Sequence, residues 1–110
     1  MAKNTVIKMG QTFRRQLVLT YVDDGSPVNL TGCAAYCQMR KAPGGDLAAT
    51  ASCSLDMALG RITATFAPAD TAGLEAGGYG YDIWIVSEGD KIPLYTEQVT
   101  VVKGYTENMA

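Results

Sequence analysis

The run Leu74-Glu75-Ala76-Gly77-Gly78-Tyr79-Gly80-Tyr81-Asp82-Ile83-Trp84-Ile85-Val86 passes from a turn into a strand within a few residues. From Tyr79 onwards large apolar side chains recur at every second position. Side chains alternate across a strand, so Tyr79, Tyr81, Ile83 and Ile85 share one face, and Gly80, Asp82, Trp84 and Val86 share the other. The first set is apolar enough to line a core. The second set mixes an acid, a tryptophan and a glycine, as expected of a face turned away from that core.

The same pattern extends in both directions. Arg61 to Phe66 alternates Ile62, Ala64 and Phe66 inward against Arg61, Thr63 and Thr65. Cys33 to Arg40 places Cys33, Ala35, Cys37 and Met39 inside, with Ala34, Tyr36, Gln38 and Arg40 outside. Thr12 to Tyr21 sets Phe13, Leu17, Leu19 and Tyr21 on one face. Asn4 to Lys8 is a short first strand, and a last strand runs from about Pro93 to Val102 with Val99 and Val101 inside. Leu47 to Leu55 is a weak, alanine-rich strand suited to a sheet edge. Pro68 to Leu74 fits one short helical turn, with proline at its start and Asp70 near the positive end of its dipole. Turn chemistry separates these runs: Asp23-Asp24-Gly25-Ser26, Ala42-Pro43-Gly44-Gly45-Asp46, Asp56 to Gly60 and Ser87-Glu88-Gly89-Asp90. Short strands punctuated every ten residues or so predict an all-β sandwich. Leu74-Glu75-Ala76-Gly77-Gly78-Tyr79 resembles the tyrosine corner of immunoglobulin-like sandwiches, in which a tyrosine hydroxyl bonds back to the corner backbone. The expectation is one immunoglobulin-like domain over residues 1–110. It has about seven antiparallel strands and one helical turn, and 104–110 forms a tail.

Composition narrows the function. At 110 residues the chain suits one domain and one core. Its formal net charge of −2 lacks the excess of Lys and Arg that phosphate binding needs, so nucleic acid is not an expected partner. The basic doublets Arg14-Arg15 and Arg40-Lys41 are expected as solvated strand positions. Met1 to Gly10 holds no apolar run of signal-peptide length, and no stretch approaches the roughly 20 apolar residues of a membrane span, so synthesis in a cytosol is expected.

Chemistry is sparse. The absence of histidine removes Ser-His-Asp and Cys-His devices, and no glycine-rich phosphate loop joins a strand to a helix. Asp70-Thr71-Ala72-Gly73 lacks the spacing and the preceding apolar strand of an aspartic protease motif. The acids Asp23, Asp24, Glu88 and Asp90 sit at hairpin tips, where carboxylates are solvated rather than held in a catalytic cleft. No zinc pattern exists, and no cofactor is expected. Cys33 and Cys37 lie about 13 Å apart along one strand, beyond the reach of about 7 Å for a disulfide. Cys53 remains open as a partner for either, the alternative being three small buried thiols. A binding protein rather than an enzyme is predicted. Its candidate contact residues are the outward-facing Tyr36, Trp84 and Arg40, the tips Asp23, Asp24, Glu88 and Asp90, and Tyr105 in the tail.

Several segments taken together carry a family likeness. They are Gly10-Gln11-Thr12-Phe13, Asp23 to Gly32, Gln38-Met39-Arg40, Gly60-Arg61-Ile62-Thr63, Gly78 to Ile83, and Val99-Thr100-Val101-Val102-Lys103-Gly104-Tyr105-Thr106. In order and spacing this set resembles small tailed-phage virion proteins with an immunoglobulin-like sandwich. These are the tail-fibre attachment or collar proteins of siphophages and the N-terminal module of baseplate upper proteins. The resemblance spans about Gly10 to Thr106. It implies a virion scaffold, assembled in the host cytoplasm as a homo-oligomer or ring, that holds fibres or receptor-binding proteins on the tail. Its partners would be tail-tube, fibre or baseplate proteins, with no membrane or nucleic acid involved. Two other roles stay open: a capsid decoration protein on the head lattice, and a small carbohydrate- or protein-binding module that stacks ligand on Trp84 and Tyr36.

Overall fold

Alternation along the chain resolves into eight strands and one helical turn in the computed structural model, which describes residues 5–105. The strands are β1 (Thr5–Lys8), β2 (Phe13–Val18), β3 (Cys33–Arg40), β4 (Leu47–Thr50), β5 (Ser52–Asp56), β6 (Arg61–Phe66), β7 (Gly77–Ser87) and β8 (Asp90–Val102), with α1 (Pro68–Ala72) between β6 and β7. They form two sheets, one ordered β1-β8-β7-β3-β4 and the other β2-β6-β5. Asn4, expected to open the first strand, and 106–110 of the expected tail lie outside the described residues.

The inner faces of the two sheets meet in one core. Phe13 and Phe66 stack with ring centroids 6.1 Å apart, and Tyr81 from the opposite sheet meets both edge-on at 5.8 and 5.9 Å. Ile7, Leu30, Met39, Ile62, Ile83 and Val101 are fully enclosed around them. The faces expected for β3, β6 and β7 are those observed. Strand order also matches an immunoglobulin-like sandwich: β3, β7 and β8 take the C, F and G positions, and β2, β6 and β5 take B, E and D.

The tyrosine corner is formed. Tyr79 Oη donates to the Glu75 carbonyl at 2.9 Å and accepts from the Glu75 N–H at 3.1 Å, closing the α1–β7 connection. Ahead of it, Pro68 opens α1, and Asp70 accepts from the Ala67 N–H at 3.0 Å. Thr71, buried, donates to the Gln11 carbonyl at 2.6 Å and ties α1 to the β1–β2 loop.

Several expectations need correction. The stretch Leu47 to Leu55 is two strands, giving eight rather than seven. At Ala51 the chain leaves one sheet for the other, held by the Ala51 N–H on the Cys37 carbonyl at 3.0 Å. Small side chains permit the crossing, and β4 and β5 each end as an edge of their own sheet. The ladder is not wholly antiparallel, because β1 runs parallel to β8. Tyr21 is exposed rather than inward, since β2 ends at Val18 and only a Thr20–Pro27 bridge continues it. The last strand starts at Asp90 rather than Pro93. A tight turn at Glu88-Gly89, both with positive φ, starts it early, and a bulge at Leu94 accommodates the proline. All three cysteines are free thiols, and burial pushes Cys37 up to about 12.

Arg15 departs most from expectation. It is not a solvated strand position but lies in the inward phase of β2, where its guanidinium grips Glu97 of β8 through Nε–Oε1 at 2.9 Å and Nη2–Oε2 at 3.0 Å. Thr5 of β1 donates to Glu97 Oε2 at 2.5 Å, and the Tyr81 hydroxyl of β7 donates to Oε1. Arg15 also lies 4.6 Å from the Phe13 ring centroid. The arginine and the two hydroxyl donors hold the Glu97 carboxyl down at about 2, while burial and the Glu97 charge drive the Tyr81 phenol upward.

Two predictions follow from these bonds. Tyr79→Phe removes both corner bonds, and thermal melting should show a loss of about 1–2 kcal/mol. Because the folded Glu97 carboxyl titrates below its ordinary value, its contribution is complete above about pH 4.5 and drains away as pH falls towards 2. Arg15 is 35% exposed, and screening limits that contribution to on the order of 1–2 kcal/mol. Denaturant titrations across pH 2–5 should show the wild type losing this increment and Glu97→Gln, less stable throughout, lacking that part of the slope.

Candidate functional site

Strand register sorts the candidate residues into separate surfaces. Val18 and Asp56 both face Arg61, Cys33 faces Ser87, and Ser87 faces Asp90. The β2–β3 loop, the β5–β6 turn and the β7–β8 turn therefore open at one end of the sandwich. This brings the Asp23-Asp24 and Glu88/Asp90 tips to the same end, with Asp56 of the third turn beside them. Asp24 shapes its own loop: Oδ1 accepts from the Ser26 N–H at 2.9 Å and from Ser26 Oγ at 2.6 Å, which holds its carboxyl below the usual range.

Sequence reading missed the apolar side chains among these acids. Val18, Tyr21, Met57 and Leu59 are about half exposed and Val22 is fully exposed, all on the segments that build this end. The segments are bonded to one another: Leu19 N–H to the Gly60 carbonyl at 2.8 Å, Val28 N–H to Leu19 at 2.9 Å, and Leu30 N–H to Met57 at 3.3 Å. Gly60 is the close approach. Its φ is +63°, and a Cβ there would lie 2.5 Å from the Leu19 carbonyl oxygen. The available signal was Tyr21-Val22, two large apolar residues directly before a turn. Alternation assigned Tyr21 to the core because it took β2 to continue.

A second surface is the outer face of the five-stranded sheet. Tyr36 on β3 lies directly opposite Trp84 on β7, as their shared outward phase implied. Tyr36 is 56% exposed and Trp84 half-buried. Together with Val86 and Lys91 they line a shallow depression of about 460 Å³. The helical turn packs beside Gln11 at the other end of the sandwich. Next along the ladder Gln38 faces Asp82 and Arg40 faces Gly80. These residues share a cleft of about 230 Å³ with Pro43 and Thr96. Arg40 is fastened within it, donating to the Gly45 carbonyl at 2.7 Å and to Gln38 Oε1 at 2.8 Å.

Tyr105 belongs to neither surface. It is fully exposed beyond β8, at the end opposite the three turns. Among the described residues no group of three or more His, Cys, Asp or Glu side chains is placed to hold a metal ion, and no helix is long and apolar enough to cross a membrane.

No protein-family model matches the chain, and no curated protein is similar to it in sequence.

The Gly60 contact is testable. Gly60→Ala combines a left-handed backbone with overlap on a carbonyl oxygen, and chemical denaturation should show a loss of about 2–4 kcal/mol.

Proposed function

We propose that this protein is a non-enzymatic structural component of a tailed-phage virion, a collar, fibre-attachment or baseplate module of the tail, and that it docks through its three-turn end. The observation that carries the reading is that end itself. Val18, Tyr21, Val22, Met57 and Leu59 are exposed apolar side chains on the segments of that end, which also carry Asp23, Asp24, Asp56, Glu88 and Asp90 against Arg61 and Lys91. An apolar centre with a charged border is the usual anatomy of a protein-binding surface. Strand order and the tyrosine corner agree with the fold that the resemblance to phage tail proteins implies.

The border is acidic, so the partner surface should be basic. Tail-tube, fibre or baseplate proteins fit that requirement, and so does a second copy of this chain. The opposite end of the sandwich carries Lys8, Arg14, Arg40 and Lys41 against Asp46, Asp70 and Glu75, with Lys41 paired to Glu75 at 3.2 Å, so its excess of positive charge is small. Contact between unlike ends is heterologous and closes into a ring when the rotation per copy permits. Repetition around a tail turns weak single contacts into durable attachment.

Mass spectrometry and immunogold labelling of purified particles test the location. Label at the tail or its fibre junction is the expected result. Label spread over the head would replace this reading with decoration of the capsid, and absence from particles would overturn both. Tyr21→Ala/Val22→Asp should melt within a degree or two of wild type, since both side chains are exposed, yet fail to be incorporated.

A further inference from the structure

The outer face of the five-stranded sheet is separate from the docking end, and its chemistry changes along the ladder. Tyr36 and Trp84 form one row, bordered by Val86 and Lys91. One ladder step on, a row crosses four strands as Thr50, Gln38, Asp82 and Thr96. A further step brings Arg40, Gly80 and Gln98. Each step is two residues, about 7 Å, so the rows extend over about 14 Å.

Asp82 is half-buried in the cleft, and no hydrogen bond from the described residues reaches its carboxylate. A carboxylate accepts only, so a ligand that meets it there must donate. Gly80 lets the Gln98 side-chain amide lie close over the backbone beside it: a Cβ there would be 3.1 Å from that amide. Arg40 faces the cleft with its guanidinium already bonded to Gly45 and Gln38. Asp82 shares the face with Arg40, whose guanidinium is already bonded, and with Lys91 at the far row, charges too sparse to favour a polyanion or a strongly basic partner.

We propose that this face binds a neutral glycan chain, with pyranose rings lying on Trp84 and Tyr36 and ring hydroxyls donating to Asp82 and exchanging hydrogen bonds with Gln38, Thr96 and Gln98. A pyranose presents a face of C–H bonds and a rim of hydroxyls. The first suits an aromatic surface and the second suits planar amides and a carboxylate. Protein interfaces concentrate apolar residues and exclude charge from their centre. Here the row beside the aromatics is entirely polar and includes a carboxylate, unlike the charge-poor centre of a protein interface. An open, shallow site of this kind gives weak affinity per site, with a dissociation constant of roughly 0.1–5 mM, which repetition of copies would raise. The proposal does not rest on where the protein resides.

Trp84 is the only tryptophan, so its fluorescence reports on this face alone. The purified chain is titrated with linear hexasaccharides of glucose, galactose, mannose and N-acetylglucosamine, with dextran and dextran sulfate as a neutral and charged pair. A saturable change in Trp84 emission is expected with at least one neutral hexasaccharide, and dextran sulfate should bind no better than dextran. Asp82→Ala and Tyr36→Ala should each weaken binding tenfold or more while melting like wild type, the fold being checked separately by circular dichroism. Three results would overturn the proposal. One is no change in Trp84 emission, or in the amide resonances of β3, β7 and β8, at about 10 mM glycan. Another is undiminished binding by both variants. The third is an emission change that follows protein concentration and ignores glycan, which would make the face a contact between copies.

Discussion

Glu97 joins four strands through one carboxylate. It stands on β8, accepts from Thr5 on β1 and Tyr81 on β7, and is gripped by Arg15 from β2 in the other sheet. A two-layer sandwich is open along its sides, and here the open side lies between β2 and the β8–β1 edge. Apolar packing presses the layers together but has no preferred sliding position. A bidentate arginine–carboxylate pair does, because its two parallel bonds require one geometry. The pair fixes one point of contact between the two sheets, and the stacked and edge-on rings of Phe13, Phe66 and Tyr81 fix another beside it. With Glu97 side chain only 15% exposed, its charge is tolerable because three donors surround it.

The opposite corner of the fold is held differently. At the α1–β7 connection a neutral hydroxyl, that of Tyr79, satisfies both backbone groups of Glu75. This device is local in sequence, with donor and acceptor four residues apart, and so it was visible as a motif. The Glu97 clasp joins residues 82 and 92 positions away and has no motif at all. Its one trace in the sequence was a pair of opposite charges, Arg15 and Glu97, each standing in the inward phase of its strand, between Phe13 and Leu17 and between Tyr95 and Val99. A charge inside an alternating run passes as a solvated position unless its partner is known to arrive from the other sheet.

The two candidate surfaces follow from the same topology. Three turns share one end because β5–β6 and β7–β8 are antiparallel hairpins and the β2–β3 loop crosses between the sheets at that same end, and this gathers Asp23, Asp24, Glu88 and Asp90 with apolar side chains from distant segments. The outer face of the five-stranded sheet is a continuous ladder, so Tyr36 and Trp84, 48 positions apart in the sequence, become neighbours. The frame therefore has one end where exposed apolar and acidic side chains gather and one face that grades from aromatic to polar.

The sequence by itself determined the all-β class, the inward and outward faces of β3, β6 and β7, the tyrosine corner, the helical turn, and the outward placing of Tyr36, Trp84 and Arg40. All of these depend on side-chain alternation and turn chemistry, which act over a few residues. Only the tertiary structure decided the split of the alanine-rich run at Ala51, the parallel placing of β1 on β8, the burial of Arg15 against Glu97, and the exposure of Tyr21. Each of these depends on which strand lies beside which, and alternation carries no information about a neighbour. The Ala51 crossing shows this most plainly: Ala49 and Ala51 are both buried, as one continuous strand would require, yet Ala51 is the last residue bonded to the five-stranded sheet and the chain joins the other sheet from Ser52.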